Sequence, residues 1–452
     1  MPNLTTGKIG PQIRQLAIPM SIGMFFDTMY NVVDGYFAGI YSTDALAAIS
    51  ISFPIFFLII ALGFGMGSGV SVLISNAIGE NNDLKMKTYI LESLSFGLIL
   101  GLLLSLLGVI FSPFLLRLLG AEGNFLDLSI QYMRVISFSS IFLIITFFAN
   151  SILQSKGDTK SYGKILAAGF FLNIILDPLF IYGIGPFKGF GFSGIAIATL
   201  ITIAIGSFYL MYKVYLLGYF DNFKIKNLKP DITTYKEIIK QGLPASGNML
   251  SVAIGMFVII YFVALYSKEA IAAYGVATRI EQIALMPTIG LNIAVLVLVG
   301  QNNGAKRYNR IEKILKRSFL YGVIILIVME IPIYIFAREL VGIFTTSKEV
   351  IDIGTLAVRI GSFTSLSYLI LFMYTSALQG MKKPNFALWI GLYRQIIAPG
   401  IIFYLITSVF FFKIGIIWWS IFGINGLAAI IAYFYTFHVI KKLKNRNRKL
   451  KN

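Results

Sequence analysis

The sequence predicts an all-α polytopic membrane protein, with twelve transmembrane helices in two six-helix lobes related by a parallel internal repeat. Three observations predict it: apolar stretches of spanning length, a shortage of charge, and landmarks that recur 225 residues apart. Soluble domains carry about 25% charged residues. Here 13% of 452 residues are charged and 57% are hydrophobic, too little charge to coat a water-soluble globule. A spanning helix needs about 20 mainly apolar residues. Twelve such stretches run over 14–39, 50–76, 88–117, 128–154, 161–184, 190–217, 237–267, 270–299, 311–340, 350–380, 384–410 and 414–441. Several are longer than a bilayer requires, so those helices tilt or project into water. The first 13 residues are short and fairly polar, and no cleavable signal is expected.

The repeat is read by sliding the chain by 225 positions. Pro19 falls on Pro244, DALAA at 44–48 on EAIAA at 269–273, Gly79 on Gly304, Arg134 on Arg359, and Leu153-Gln154 on Leu378-Gln379. Five coincidences in one register indicate a duplication. Six helices per repeat bring both halves into the membrane in the same sense, a transporter plan with the substrate path between the repeats. The expected organisation is an N-terminal lobe at 1–217, a polar cytoplasmic linker at 218–236, a C-terminal lobe at 237–441 and a basic cytoplasmic tail at 442–452.

Charge sets orientation. Lys and Arg number 38 against 20 Asp and Glu, a net +18. Alternate connections beginning with the N-terminus collect 28 basic residues and the opposite side six. This bias predicts a cell-membrane protein with both termini in the cytoplasm and its basic loops against anionic lipid headgroups. Apolar runs separate the charges, unlike the water-facing basic domains that bind nucleic acid, so no nucleic-acid partner is expected. Cysteine is absent, which removes disulfides and thiolate chemistry, and a single His438 excludes a multi-histidine metal site. No GxxxxGK[ST] motif appears, so any energy source is an ion gradient rather than the chain's own ATPase. The chain is not expected to be an enzyme or to need an organic cofactor.

Ionisable groups at membrane depth are costly and carry the best functional signal. Asp34 follows Tyr30 and Asn31 in MYNVVDGYFAG, with Tyr30 and Asp34 at i,i+4 on one helix face. Asn173 and Asp177 have the same spacing in LNIILDPLFIYG, and Pro178 frees a backbone carbonyl beside Asp177. Both helices run outward, so the carboxylates can converge in the outer half of one lobe. Two such groups in low dielectric should not both ionise easily: one holds a proton, or a small cation such as Na⁺ lies between them. In the competing reading, Asp34 is solvated near the outer interface and Asp177 is hydrogen-bonded locally. The repeat supplies a control, because Asp34, Asn173 and Asp177 fall on Ile259, Ala398 and Ile402. Glu281 and Glu330 are deep candidates in the second lobe, as ligands of a substrate cation or as interhelical contacts. Glu92 is expected to snorkel at a cytoplasmic helix end, and Arg394 to pair with a carboxylate or backbone carbonyls. Pro19 cannot donate its backbone hydrogen bond and Gly23 lies one turn on, a hinge for the first helix.

With those residues in hand, the chain resembles the multidrug and toxic compound extrusion (MATE) transporters over essentially its whole length. The resemblance rests on Pro19, YNVVDGYFAG, DALAA, SKGDTK at 155–160, NIILDP, GIAIAT at 194–199 and VGQNNGA at 299–305, in order. It is most similar to the DinF-type and archaeal members. It implies a cation-coupled (H⁺ or Na⁺) antiporter that exports small amphipathic, often cationic compounds by alternating access, working as a monomer. It also implies a cation site at Asp34, Asn173, Asp177 and Thr199, with Tyr30 adjacent. A polar residue that some relatives carry on the fourth helix falls at Phe147, and Asn150, one turn on, is the candidate to replace it. The alternatives are a flippase for a lipid-linked or amphipathic metabolite, a major-facilitator-type transporter, and a membrane-embedded enzyme or passive channel. AIGENNDLKMK stands where a major facilitator has a Gly-Asp-Arg-Arg-like loop.

Overall fold

Inside a bilayer no water is available to satisfy backbone polar groups, so an apolar run buries its own hydrogen bonds by coiling. The computed structural model describes residues 4–220 and 230–449. It turns each apolar run into a helix: α1 (Ile9–Tyr41), α2 (Thr43–Gly79), α3 (Asp83–Leu118), α4 (Gly123–Ser155), α5 (Lys160–Tyr182), α6 (Ser193–Tyr215), α7 (Ile232–Ala264), α8 (Lys268–Gly304), α9 (Tyr308–Ile335), α10 (Lys348–Gly380), α11 (Asn385–Val409) and α12 (Gly415–Lys449). A short helix, Ala337–Gly342, follows α9, and a two-stranded antiparallel ribbon, β1 (Gly183–Ile184) with β2 (Phe187–Lys188), joins α5 to α6. The sequence gives no sign of the ribbon. Several helices overrun the apolar stretches, and polar caps start two of them: Asn82 accepts the Lys85 N–H at 2.9 Å and Ser267 that of Ala270 at 3.1 Å. Of the expected 218–236 linker, 221–229 lies outside the described residues and 232–236 is already helical. Residues 450–452 of the basic tail also lie outside them.

The duplication is visible in the backbone. Shifted by 225, the bounds of α2 fall on those of α8 and the bounds of α4 on those of α10. The left-handed turn residues repeat in the same register, Asn81 (φ 52°) with Lys306 (φ 56°) and Gly157 (φ 90°) with Lys382 (φ 59°). Two lysines hold a conformation that favours glycine or asparagine. α11 departs from a regular helix: π-turns at Tyr393–Ile397 and Leu405–Val409 flank the helical segment Ala398–Tyr404. Pro399 is the cause of the first, because its ring displaces the Gln395 carbonyl and leaves it no N–H to bond.

The contacts divide the chain into two units. Unit 1 holds 19–78 and 82–246, and unit 2 holds 3–18, 79–81 and 247–452. The first turns of α1 therefore pack in unit 2 and those of α7 in unit 1. α1 changes unit at Pro19, while remaining one continuous helix. In unit 1, α4 packs against α3 and α6; in unit 2 its counterpart α10 packs against α8, α9 and α12. Small residues let these helices approach closely. Gly97, Gly101 and Gly108 on α3 meet Phe148, Ile141 and Ser137 of α4. On α2 the run GFGMGSG splits by face: Gly63 and Gly67 receive Phe147 and Ser151 of α4, while Gly65 and Gly69 receive Ser246 and Gly242 of α7. Phe147 thus fills the space that Gly63 leaves open.

One expectation, for Glu92, is corrected. Glu92 does not snorkel: it is buried and accepts the Asp231 N–H at 3.1 Å. Asp231 in turn accepts from the Thr233 and Thr234 N–H groups at 3.0 and 3.3 Å and from the Thr234 hydroxyl at 2.6 Å, capping α7. These donors hold the Asp231 carboxyl below the usual carboxylate range. A buried acceptor found a backbone donor 139 residues away, a pairing invisible to local sequence.

Candidate functional site

Unit 1 gathers the polar residues of three helices. α1 contributes Tyr30 and Asp34, α5 contributes Asn173 and Asp177, and α6 contributes Thr199. The helices meet because their contact faces are small. Gly194 at the start of α6 lies on the Phe180 backbone, and Gly169 of α5 makes room for the Thr202 methyl and the Tyr30 ring. Asp34 is 6% exposed, and Asn173 and Asp177 are 0% exposed. The solvated reading of Asp34 therefore fails.

Asn173 bridges the two acids. Its amide nitrogen donates to Asp34 Oδ1 and, at 3.0 Å, to Asp177 Oδ2. The Thr199 hydroxyl donates to Asp34 Oδ2 at 3.3 Å. The two carboxyls lie within electrostatic reach of each other. The donors of Asn173 and Thr199 are then used, while two buried oxygens, Asp177 Oδ1 and Asn173 Oδ1, and the Tyr30 hydroxyl have no partner. Buried acceptors are satisfied in the great majority of cases. A cation within reach of these oxygens would satisfy them, and a proton on a carboxyl oxygen would convert an acceptor into a donor. Among the described residues no group of three or more His, Cys, Asp or Glu is arranged to hold a metal ion.

Two aromatic hydroxyls border the acids. Tyr30 lies beside Thr199 and both carboxyls, and its buried hydroxyl completes no hydrogen bond with them. Tyr132 of α4 is 5% exposed, stacks on Phe192 at 5.8 Å, and lies within electrostatic reach of Asp34 and Asp177. Sequence reasoning missed Tyr132, since α4 carries no acid at that depth. It also missed Asp27, seven residues before Asp34 on the same face of α1 and within electrostatic reach of the buried Tyr162. A signal for Asp27 was present: it is a carboxylate in mid-helix, found by the criterion that selected Asp34. Asn150 is buried on α4 and makes no hydrogen bond with the cluster, and its Oδ1 has no partner. It lies five residues from the C-terminal end of α4, about 7 Å at ~1.5 Å per residue, against roughly 25 Å for Asp177 from the N-terminal end of α5. Pro19 and Gly23 are in place on α1, which packs there against Gly163 of α5.

Unit 2 differs in kind. Ile259 and Ala398 belong to a hydrophobic cluster with Phe262, Phe403 and Trp418, and Ile402 packs against it. Apolar packing occupies the places of the unit 1 acids. Its ionisable groups sit elsewhere: Glu281 on α8, Glu330 on α9 and Arg394 on the π-turn of α11. Arg394 is 3% exposed. Contrary to expectation it pairs with no carboxylate or backbone carbonyl among the described residues. Its guanidinium donates to Asn425 Oδ1 at 3.2 Å and lies over Phe372 and Tyr368, 5.2 and 5.7 Å from the ring centroids. The aromatic faces supply the attraction that an acid would otherwise provide.

A family model described as MatE matches the chain twice, over residues 19–179 and 244–401, two matches that begin 225 residues apart. The probable multidrug resistance protein YoeA of Bacillus subtilis is 33% identical over 352 residues, 76% of this chain and 75% of that protein. The FAD transporter of Shewanella oneidensis is 29% identical over 398 residues, 87% of each chain. The multidrug export protein MepA of Staphylococcus aureus is 28% identical over 433 residues, 93% of this chain and 92% of that one. Solved structures of MATE in the straight and the bent conformation superpose with TM-scores of 0.90 and 0.89, each at 26% identity and over 98% of both chains. With twelve spanning helices in a doubled array, matched twice by one family model and along most of its length by exporters, the chain belongs to the MatE family of multidrug efflux transporters, polytopic membrane proteins that are not enzymes.

Proposed function

We propose that the chain is a proton-coupled antiporter that exports small amphipathic, often cationic organic compounds across the cell membrane by alternating access. Asp34 and Asp177 are the coupling acids, Asn173 and Thr199 their neutral partners, and Tyr30 a neighbouring hydroxyl. The observation that carries this reading is the pair of unpartnered oxygens, Asp177 Oδ1 and Asn173 Oδ1. A carrier couples to an ion only through a group whose occupancy biases two conformations, and a buried acid cluster with unpaired oxygens has two distinct states, with and without a bound proton. Sodium is the competing ion, and the same orphan oxygens would serve it as ligands. The basic bias of the loops supports termini in the cytoplasm and contact with anionic headgroups. All the residues invoked lie on one polypeptide, which supports a monomeric transport unit.

Transport by purified protein in proteoliposomes, with pH and Na⁺ gradients imposed separately, tests the proposal. Export of an organic cation driven by the pH gradient, and lost in Asp34→Asn and Asp177→Asn, is the expected result. Export that follows only the Na⁺ gradient replaces the ion. Export retained in both variants and lost in Glu281→Gln rejects the unit 1 assignment. A second reading, export of an anionic compound such as a flavin nucleotide, is favoured by the buried Arg394 without a carboxylate partner, together with the FAD transporter relative. Competition between FAD and an organic cation in the same vesicles separates the two.

A further inference from the structure

Basic residues distant in the sequence meet in unit 2. Lys306 and Arg307 precede α9, Arg310 and Lys313 lie in its first turns, and Lys444 and Arg448 lie in the last turns of α12. These six line one cavity of about 450 Å³. A single carboxylate stands among them: Glu312 accepts from Lys444 at 2.7 Å, and no other Asp or Glu occurs in 300–320 or 440–452. Most of the positive charge of the cavity is therefore uncompensated.

Helix dipoles explain only part of this. Lys444 and Arg448 stand at the negative end of α12, where cations are stabilised. The positive end of α9 disfavours them, yet Arg307 is its N-cap and no acid lies in its first turn. Neutral groups fix the arginines in place. The N-terminal segment, also in unit 2, lays its carbonyls on them: Arg307 donates to Thr5 O at 2.6 Å, and Arg310 to Thr6 O, Gly7 O and Gln12 Oε1, each at 2.9 Å. Asn302 donates to Leu4 O at 3.3 Å, and Leu4 is fully buried, which anchors the segment. These acceptors orient the guanidiniums without neutralising them. Arg310 Nε is buried and has no partner.

A concave site with surplus positive charge and oriented guanidiniums fits a compact ligand with more than one phosphate, since such donors bind phosphate oxygens through charge-assisted hydrogen bonds. The apolar runs 311–340 and 414–441 both end beside it. Along the stripe of α9 that holds Lys313, the next residues include Leu320 and Ile324, each 50% exposed. Phosphates seated in the cavity thus have open apolar surface next to them, footing for acyl chains that a soluble phosphate compound does not use.

We propose that this cavity binds the two-phosphate headgroup of an anionic phospholipid, one lipid per chain, apart from the transported compound and from the acids of unit 1.

Native mass spectrometry of the purified protein in detergent, titrated with diphosphatidylglycerol, phosphatidylglycerol or inorganic pyrophosphate, counts bound molecules without transport. One diphosphatidylglycerol per chain should be retained more tightly than phosphatidylglycerol, which brings a single phosphate. A basic residue near anionic headgroups contributes about fivefold in affinity, so Lys313→Gln/Arg448→Gln should weaken retention roughly 25-fold. Lys160→Gln/Lys164→Gln removes the same charge from exposed positions of α5 and should change nothing. Glu312→Gln removes the one carboxylate and should tighten binding, a direction that damaged packing would not give. Thermal melting confirms folding, and Lys306→Gln/Arg448→Gln, with the same expected loss, serves if Lys313→Gln/Arg448→Gln is not folded. Equal weakening by the α5 variant shows attraction by bulk charge and overturns the site. Retention unchanged by the cavity variant in folded protein overturns it too, and pyrophosphate retained where the lipid is not overturns the lipid as ligand.

Discussion

Asp177→Asn tests the unpartnered oxygens quantitatively. The substitution keeps the shape of the side chain, removes one charge, and places an amide where Asp177 Oδ1 now lies without a partner. It removes one of the two orphan acceptors, and a buried charge with it. Leaving a buried acceptor unsatisfied costs about 1–3 kcal/mol, so the variant should match or exceed the wild type by about that amount. For a unit of roughly 200 residues, 1 kcal/mol corresponds to ~2–4 °C in Tm. Asn173→Ala has the opposite sign. It removes the one amide that bonds both acids, leaving two further carboxylate oxygens bare at about 1–3 kcal/mol each. Melting of both variants in detergent, beside vesicle transport, reads the contrast. Asp177→Asn should be stable and inactive, Asn173→Ala destabilised. A Tm for Asp177→Asn several degrees below wild type would refute the reasoning from unpartnered oxygens.

Three further outcomes follow from the packing. Gly163→Leu should impair both folding yield and transport, because a side chain there overlaps the Pro19 carbonyl oxygen; wild-type melting and export would contradict the close α1–α5 approach. Arg394→Met should leave Tm unchanged or raised, since a buried charge without a carboxylate partner costs about as much as it returns; a large fall in Tm would show that its aromatic and Asn425 contacts stabilise more than that. Asp231→Ala should lower Tm at neutral pH. The folded Asp231 carboxyl lies below its usual range, so its stabilising effect is full above that range and disappears as pH falls through the folded value. The gap between wild type and Asp231→Ala should therefore close in acid, and a gap that widens there would show the sign to be wrong.

How much of this was legible in the sequence depends on the range of the interaction. Helix number and the repeat register come from apolar runs and local landmarks, and the matching bounds of α2 with α8 and α4 with α10 bear them out. Asp34, Asn173 and Asp177 were legible because each acid has a polar neighbour one turn before it. Their convergence on a single bridging amide was not, since that depends on where α1 and α5 cross. Tyr132 and the Glu92–Asp231 pair were hidden for the same reason: their partners are distant in the chain. The π-turn under Arg394 shows a different limit. Pro399 announced a disturbance, but not that a wider turn would absorb it and carry a buried guanidinium.

The contact of α1 with Gly163 has a mechanical consequence. Pro19 and Asp34 are fifteen residues apart, about 22 Å of helix at ~1.5 Å per residue. With the Gly163 contact as fulcrum, a rotation of only ten degrees swings Asp34 through about 4 Å by that geometry. That displacement exceeds the 3.3 Å bond from Thr199 and would open the bond from Asn173 as well. α5 carries both the fulcrum, at Gly163, and the latch, at Asn173 and Asp177. Drift of α5 as a whole therefore moves pivot and catch together and leaves the lever closed. Within that geometry only bending of α1 releases it, so whatever opens the catch works against the stiffness of one proline-containing helix rather than against the packing of the whole bundle.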